Sequence, residues 1–144
     1  EKLAATFADK LGSTITEIQV GMGPAGELRY PSYLFANGWK YCGIGEFQAW
    51  DTNALASLRR ESEIRSATLP HAARWVQPPS DAGWYRSRPE DDDAPFFNHK
   101  QPGYKSEYGK FFLEWYSGAL KKHAAKVLQK AALAFKGKVA LAGK

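Results

Sequence analysis

The residues best suited to chemistry sit in one stretch, Gly23-Pro24-Ala25-Gly26-Glu27-Leu28-Arg29-Tyr30-Pro31-Ser32-Tyr33, followed by Gly43-Ile44-Gly45-Glu46-Phe47-Gln48. One acid, Glu27, stands between glycines that let a ligand approach the backbone and a set of aromatic rings with one cation, Arg29. Sugar rings present apolar faces to aromatic side chains and hydroxyls to directional polar groups, so such a loop suits a carbohydrate. Set among rings and shielded from water, Glu27 is expected to have a raised pKa and to act as a general acid. The same residues also describe a loop glutamate paired with Arg29, and composition does not choose between the two.

The elements around this loop follow from periodicity. Leu3, Phe7 and Leu11 recur at helical spacing and Gly12 follows as a terminator, so the chain opens with the end of a helix. Ile15 to Val20 reads as a strand running into the glycine-rich loop. Residues 49 to 66 read as a helix with Asp51 as N-cap and Leu55 and Leu58 on one face. From Ala67 to Gln101, five prolines (Pro70, Pro78, Pro79, Pro89 and Pro95) and the acidic run Glu90 to Asp93 break every period, which predicts a long irregular excursion. After Ser106, Phe112, Tyr116, Ala119, Leu120, Val127, Ala131 and Phe135 hold a 3.6-residue period while Lys122, Lys126 and Lys130 share another stripe. That is a long amphipathic helix ending at Gly137. Val139 to Ala142 then form an apolar run of the sort found in a parallel strand buried on both faces.

Strand, excursion, helix and strand make one crossover, far longer than the usual βαβ unit of about 30 residues. The surplus lies beyond the first strand's C-terminal end, which in a (β/α)₈ barrel is the catalytic face. A pair of parallel strands cannot form a covered sheet, and a barrel takes about 250 residues, so the 144 residues are expected to be a sector of a larger domain.

GPAGELRYPSY resembles a signature of the β-amylases, glycoside hydrolase family 14. GIGEFQ, Phe111-Phe112-Leu113-Glu114-Trp115-Tyr116-Ser117 and Lys138-Val139-Ala140-Leu141-Ala142 recur in the family's order, so the likeness spans essentially the whole chain. The resemblance implies an α/β fold: a sector of a (β/α)₈ TIM barrel from about strand 4 to strand 5, with a long active-site loop. Residues 1–144 are then a partial catalytic barrel. By position, Glu27 is similar to the acid that protonates the glycosidic oxygen as β-maltose leaves the non-reducing end of a 1,4-α-glucan such as starch or maltodextrin. Lys144 falls where the family places a substrate-binding lysine, and Arg29 and Tyr33 complete the expected glucan-binding set. The family inverts configuration, which needs a second carboxylate roughly 6.5–9.5 Å from the acid to activate water. The resemblance places that base downstream of Lys144 and the active-site lid upstream of residue 1. The segment alone is therefore expected to be inert and to require the remainder of the barrel. The alternative is a noncatalytic, glucan-binding or structural descendant of the same barrel.

Two departures from the family pattern stand out. Gln19 occupies a strand position where plant members carry an acid, and Ala49-Trp50 replaces Cys-Tyr. Loss of an acid near Glu27 would remove a like charge that helps keep it protonated, which is expected to move the pH optimum downward.

Other residues carry weaker signals. Glu46 is expected to position substrate or pack its loop rather than serve as the second carboxylate. Trp75, Trp84, Tyr85, Phe96 and Phe97 are expected to form mostly a small core for the excursion. His71, His99 and His123 show no ligand spacing with Cys42, so no metal is expected, and no cofactor is implied. A single cysteine excludes an internal disulfide framework. The net charge is +5 with a pI near 9.3. Residues 100–144 hold ten lysines against Glu107 and Glu114, yet no arginine. A solvated outer face is expected there, with neither a nucleic-acid nor a membrane partner. No apolar run approaches the roughly 20 residues of a membrane span. A plastid or the cytoplasm is the expected location, since starch is made in plastids.

Overall fold

The computed structural model of the protein describes residues 2–30, 47–84, 87–98 and 102–144. Helix α1 (Lys2–Thr6) is followed by strand β1 (Glu17–Val20), helix α2 (Thr52–Ser66), helix α3 (Glu107–Phe135) and strand β2 (Ala140–Gly143). Between α2 and α3 the described chain is irregular apart from 3₁₀ turns at Pro70–Arg74 and Gly103–Lys105, as the prolines require. The chain divides into two compact units, Glu1–Tyr30 with Ala119–Lys144, and Pro31–Gly118.

In the first unit, β1 and β2 pair in parallel from Glu17↔Ala140 to Val20↔Gly143. The parallel pairing matches the crossover expected from the sequence. β1 is shorter than its apolar pattern suggested, and β2 keeps four residues but lies one residue further along than the run Val139 to Ala142. Ile15 instead meets Leu11 in an isolated bridge, and Gly12, at φ 85, donates its N–H to the Ile15 carbonyl. A side chain at that φ would be strained, so the glycine marks the turn that sends the chain into β1. The opening helix stops at Thr6, and single turns carry the chain to Leu11. β2 departs from the expectation of a strand buried on both faces: Ala140 and Gly143 are exposed, and Leu141 and Ala142 only partly covered. Two strands cannot cover each other's faces, so the apolar run has a partner along one edge and little above or below it.

The second unit owns an aromatic core. Phe96, Phe112 and Leu58 are essentially inaccessible, and Phe47, Phe111 and Trp115 are buried beside them. Phe47 packs edge-on against Phe112 at 4.7 Å and Tyr116 at 5.1 Å, while Phe112 stacks on Tyr116 at 5.6 Å. The Tyr116 hydroxyl accepts from the Gln48 N–H at 2.8 Å, and Trp115 Nε1 donates to Ser57 Oγ at 3.2 Å, so the polar tips of the rings are also paired. Helix α2 begins where Asp51 caps it, its carboxylate accepting from the N–H groups of Asn53 and Ala54. Phe96, Phe97 and Trp75 of the excursion are packing residues, as expected, but they join the core of α2 and α3 rather than forming a separate one. Trp84 stays exposed, and Tyr85 lies outside the described residues.

Helix α3 behaves as its period predicts. Phe112 is buried, Tyr116, Ala119, Leu120, Val127, Ala131 and Phe135 are partly covered, and Lys122, Lys126 and Lys130 face water. No described helix is long and apolar enough to cross a membrane.

Candidate active site

Beyond the C-terminal end of β1 the chain folds into a tight loop. The Met22 N–H donates to the Gly26 carbonyl at 3.0 Å, that of Gly26 to Gly23 at 2.9 Å, and that of Glu27 to Pro24 at 3.0 Å. Gly23 is required by close approach rather than by its dihedrals, because a Cβ there would lie 2.5 Å from the Glu27 carbonyl oxygen. Ala25 adopts φ 54, an unusual conformation for a residue with a side chain and one that concentrates at functional loops. The Leu28 N–H then donates to the Lys144 carbonyl at 2.7 Å, which ties the loop to the residue just beyond β2.

These bonds bring three of the four expected site residues together. Arg29 Nε donates to Glu27 Oε2, and Lys144 Nζ lies 3.6 Å from Glu27 Oε1. The side chains of Glu27, Arg29 and Lys144 are 40%, 27% and 50% exposed, so water still screens the cluster. Lys144 Nζ also reaches the Ala25 carbonyl at 3.4 Å. A recess of about 270 Å³ beside them is lined by Gln19, Gly21, Ala25, Gly26 and Lys144. A larger cavity, about 810 Å³, lies between α1 and the end of α3, with Leu11, Leu133 and Phe135 in its lining, and it includes none of Glu27, Arg29 and Lys144. Tyr33, Glu46, Cys42 and His99 lie outside the described residues. Among the described residues, no group of three His, Cys, Asp or Glu could hold a metal.

The electrostatics correct one expectation. Rather than being raised by surrounding rings, the Glu27 pKa is lowered: the Arg29 hydrogen bond is the largest cause, burial opposes it, and the charges of Arg29 and Lys144 add to it. A carboxylate gripped by a guanidinium holds its negative charge, and desolvation of a side chain this exposed is too weak to reverse that. The pairing of Glu27 with Arg29, one of the two readings the composition left open, is the arrangement seen.

His123, weighed from its spacing only as a metal ligand, has its Nε2 2.7 Å from the Met22 carbonyl oxygen at the base of the same loop. The available signal was its register on α3, three residues after Leu120 and four before Val127.

The whole chain, residues 1–144, matches glycosyl hydrolase family 14. This chain belongs to that family. Among its relatives, it is 45% identical over 133 residues to Beta-amylase 2, chloroplastic, of Oryza sativa subsp. japonica, covering 91% of this chain and 22% of that protein. It is 48% identical over 127 residues to Beta-amylase 1, chloroplastic, of Arabidopsis thaliana, covering 87% and 21%. A third relative is Inactive beta-amylase 4, chloroplastic, of Arabidopsis thaliana, 42% identical over 128 residues and covering 88% and 23%. The chain thus spans about a fifth of the length of the curated relatives it matches.

Proposed function

We propose that this family 14 segment is the sector of a (β/α)₈ barrel running from the fourth strand (β1) to the fifth (β2), and that it supplies the proton donor of a β-amylase. The observation that carries this reading is the meeting of Glu27 and Lys144 at 3.6 Å, each just beyond the C-terminal end of one of two adjacent parallel strands. In barrel enzymes that end of the strands holds the catalytic groups.

The reaction is inverting hydrolysis of a 1,4-α-glucosidic bond in starch or a maltodextrin. Glu27 gives its proton to the glycosidic oxygen as the bond from that oxygen to C1 breaks. A water attacks C1 from the opposite face and loses a proton to a second carboxylate, releasing β-maltose. The second carboxylate must come from outside these 144 residues. Lys144, Arg29 and Tyr33 would hold glucan hydroxyls. Because Arg29 keeps Glu27 ionised in the arrangement seen here, protonation requires that a bound sugar ring remove water from the carboxyl; burial already pushes in that direction. The names of the relatives place them in chloroplasts, which supports a plastid for the protein carrying this chain.

The ion pairing of Glu27, together with 42% identity to a relative named inactive, favours a second reading, a noncatalytic barrel that keeps its glucan contacts. The two separate in one assay on the protein that carries this chain. Release of β-maltose from soluble starch, falling about 10²–10⁴-fold in Glu27→Gln, is expected for a general acid. Binding of maltodextrin without any hydrolysis would establish the second reading instead.

A further inference from the structure

We infer that His123 is a positioning residue that sets the turn bearing Glu27; the inference deepens the function proposed above and rests on Glu27 being the proton donor.

The turn between β1 and Glu27 hangs on Met22. Its N–H is bound to the Gly26 carbonyl at 3.0 Å, and its carbonyl receives the His123 ring at 2.7 Å from helix α3. A carbonyl oxygen only accepts, so the proton of this bond is on Nε2. The Met22 side chain is fixed as well: the residue is 7% exposed, and a Cβ on Gly143 of β2 would lie 2.3 Å from Met22 Cε. Met22 is therefore anchored to the return helix through its carbonyl, to the next strand through its side chain, and to its own turn through its N–H.

Of these anchors, the His123 bond orients the peptide plane that joins Met22 to Gly23. Gly23 is the residue with the fewest steric limits on rotation, and it already lies against the Glu27 carbonyl. Without the ring, that plane can turn, and the carboxyl of Glu27 turns with it relative to Lys144. A displacement of about 1 Å at a reacting group can cost about 10²-fold in rate. His123 touches no reacting atom in this scheme; it acts through the loop.

The test uses the protein that carries this chain, with His123→Phe, His123→Gln and Glu27→Gln compared for hydrolysis of maltodextrin and for amide exchange across residues 22–27. His123→Phe keeps a ring but no donor, and it is expected to lower kcat about 10–100-fold with little change in KM. Exchange at Met22, Gly26 and Glu27 should quicken while that of α2 stays as in the parent. His123→Gln, which can place an N–H near the position of Nε2, should restore most of kcat. Full kcat in His123→Phe beside an inactive Glu27→Gln would overturn the positioning role and leave the donor role standing. Equal losses in kcat and affinity, with faster exchange everywhere and no rescue by glutamine, would reduce His123 to a structural residue and also overturn it. Activity undiminished in Glu27→Gln would remove the donor and, with it, this role. Should His123→Phe fail to fold, the ¹⁵N resonances of the parent ring still decide: an unprotonated Nε2 contradicts the inference, and a protonated one supports it together with rescue by glutamine.

Discussion

Arg29 Nε donates to Oε2 of Glu27, two residues back along the same loop, so the carboxylate is clamped from within its own turn while Lys144 approaches the other oxygen at 3.6 Å. The local clamp dominates because it is a charge-assisted hydrogen bond, whereas the lysine lies beyond hydrogen-bond distance of that oxygen. Arg29→Gln should therefore raise the Glu27 pKa, and Lys144→Met should raise it by less. A carbon-detected NMR titration of the carboxyl checks both, and an unchanged pKa in Arg29→Gln would refute the clamp. The linkage to stability has a fixed sign. With the folded pKa lowered, the unfolded state binds the proton more tightly, so the stabilisation is present above the ordinary carboxylate range and is lost as pH falls through the folded pKa.

Phe112 is the hub of the aromatic core, fully buried and in ring contact with Phe47, Tyr108, Trp115 and Tyr116. Phe112→Ala would leave a cavity that rings on several sides cannot collapse to fill. A loss of about 3–5 kcal/mol is expected in denaturant unfolding. A loss below about 1 kcal/mol would mean that the core relaxes around the gap.

Two polar contacts of α2, one exposed and one buried, should be similar in cost. Asp51 caps the helix from an exposed position, so Asp51→Ala is expected to cost about 1 kcal/mol. Ser62 is fully buried and donates to the Ala72 carbonyl at 2.6 Å, holding the 3₁₀ turn Pro70–Arg74 against the helix. That carbonyl also accepts from the Trp75 N–H at 2.9 Å, so Ser62→Ala removes one of two donors and is expected to cost about 0.5–1.5 kcal/mol. Similar losses are the outcome to check by thermal or chemical unfolding of the two variants, and a loss above about 3 kcal/mol in Ser62→Ala would mean that the Trp75 N–H does not hold the Ala72 carbonyl by itself.

Periodicity located α2, α3 and the parallel pair because each depends on local patterns: the Asp51 cap, the stripe from Phe112 to Phe135, and the apolar runs around Ile18 and Leu141. Strand ends were less legible, since Ile15 and Val139 carry strand-like side chains but lie outside the ladder. The candidate site was legible as a cluster, because Glu27 and Arg29 are near neighbours and Lys144 closes the second strand. Its charge state was not. Whether Glu27 is desolvated or clamped depends on the direction of the Arg29 side chain, which no spacing encodes. His123 was missed for a related reason: its partner is a backbone carbonyl, and backbone groups leave no mark in a sequence.

Helix α3 contains two glycines whose replacement should act in opposite directions. Alanine is the better helix former by about 1 kcal/mol, so propensity alone favours Gly109→Ala and Gly118→Ala equally. Their surroundings differ. A Cβ at Gly109 would lie 2.2 Å from the Gly103 carbonyl oxygen and 2.5 Å from Tyr104 Cα, both backbone atoms that cannot swing aside. The same turn is closed by Ser106, whose Oγ accepts from the Gly109 N–H at 2.9 Å and donates to the Gly103 carbonyl at 2.6 Å, so relieving the clash would break the helix cap as well. At Gly118 a Cβ meets nothing within 4 Å. Gly118→Ala is expected to stabilise the protein by about 0.4–1 kcal/mol, and Gly109→Ala to destabilise it by about 1–3 kcal/mol. Unfolding midpoints of the two variants decide the matter. A stabilising Gly109→Ala would show that the Gly103–Ser106 turn yields to the helix rather than constraining it.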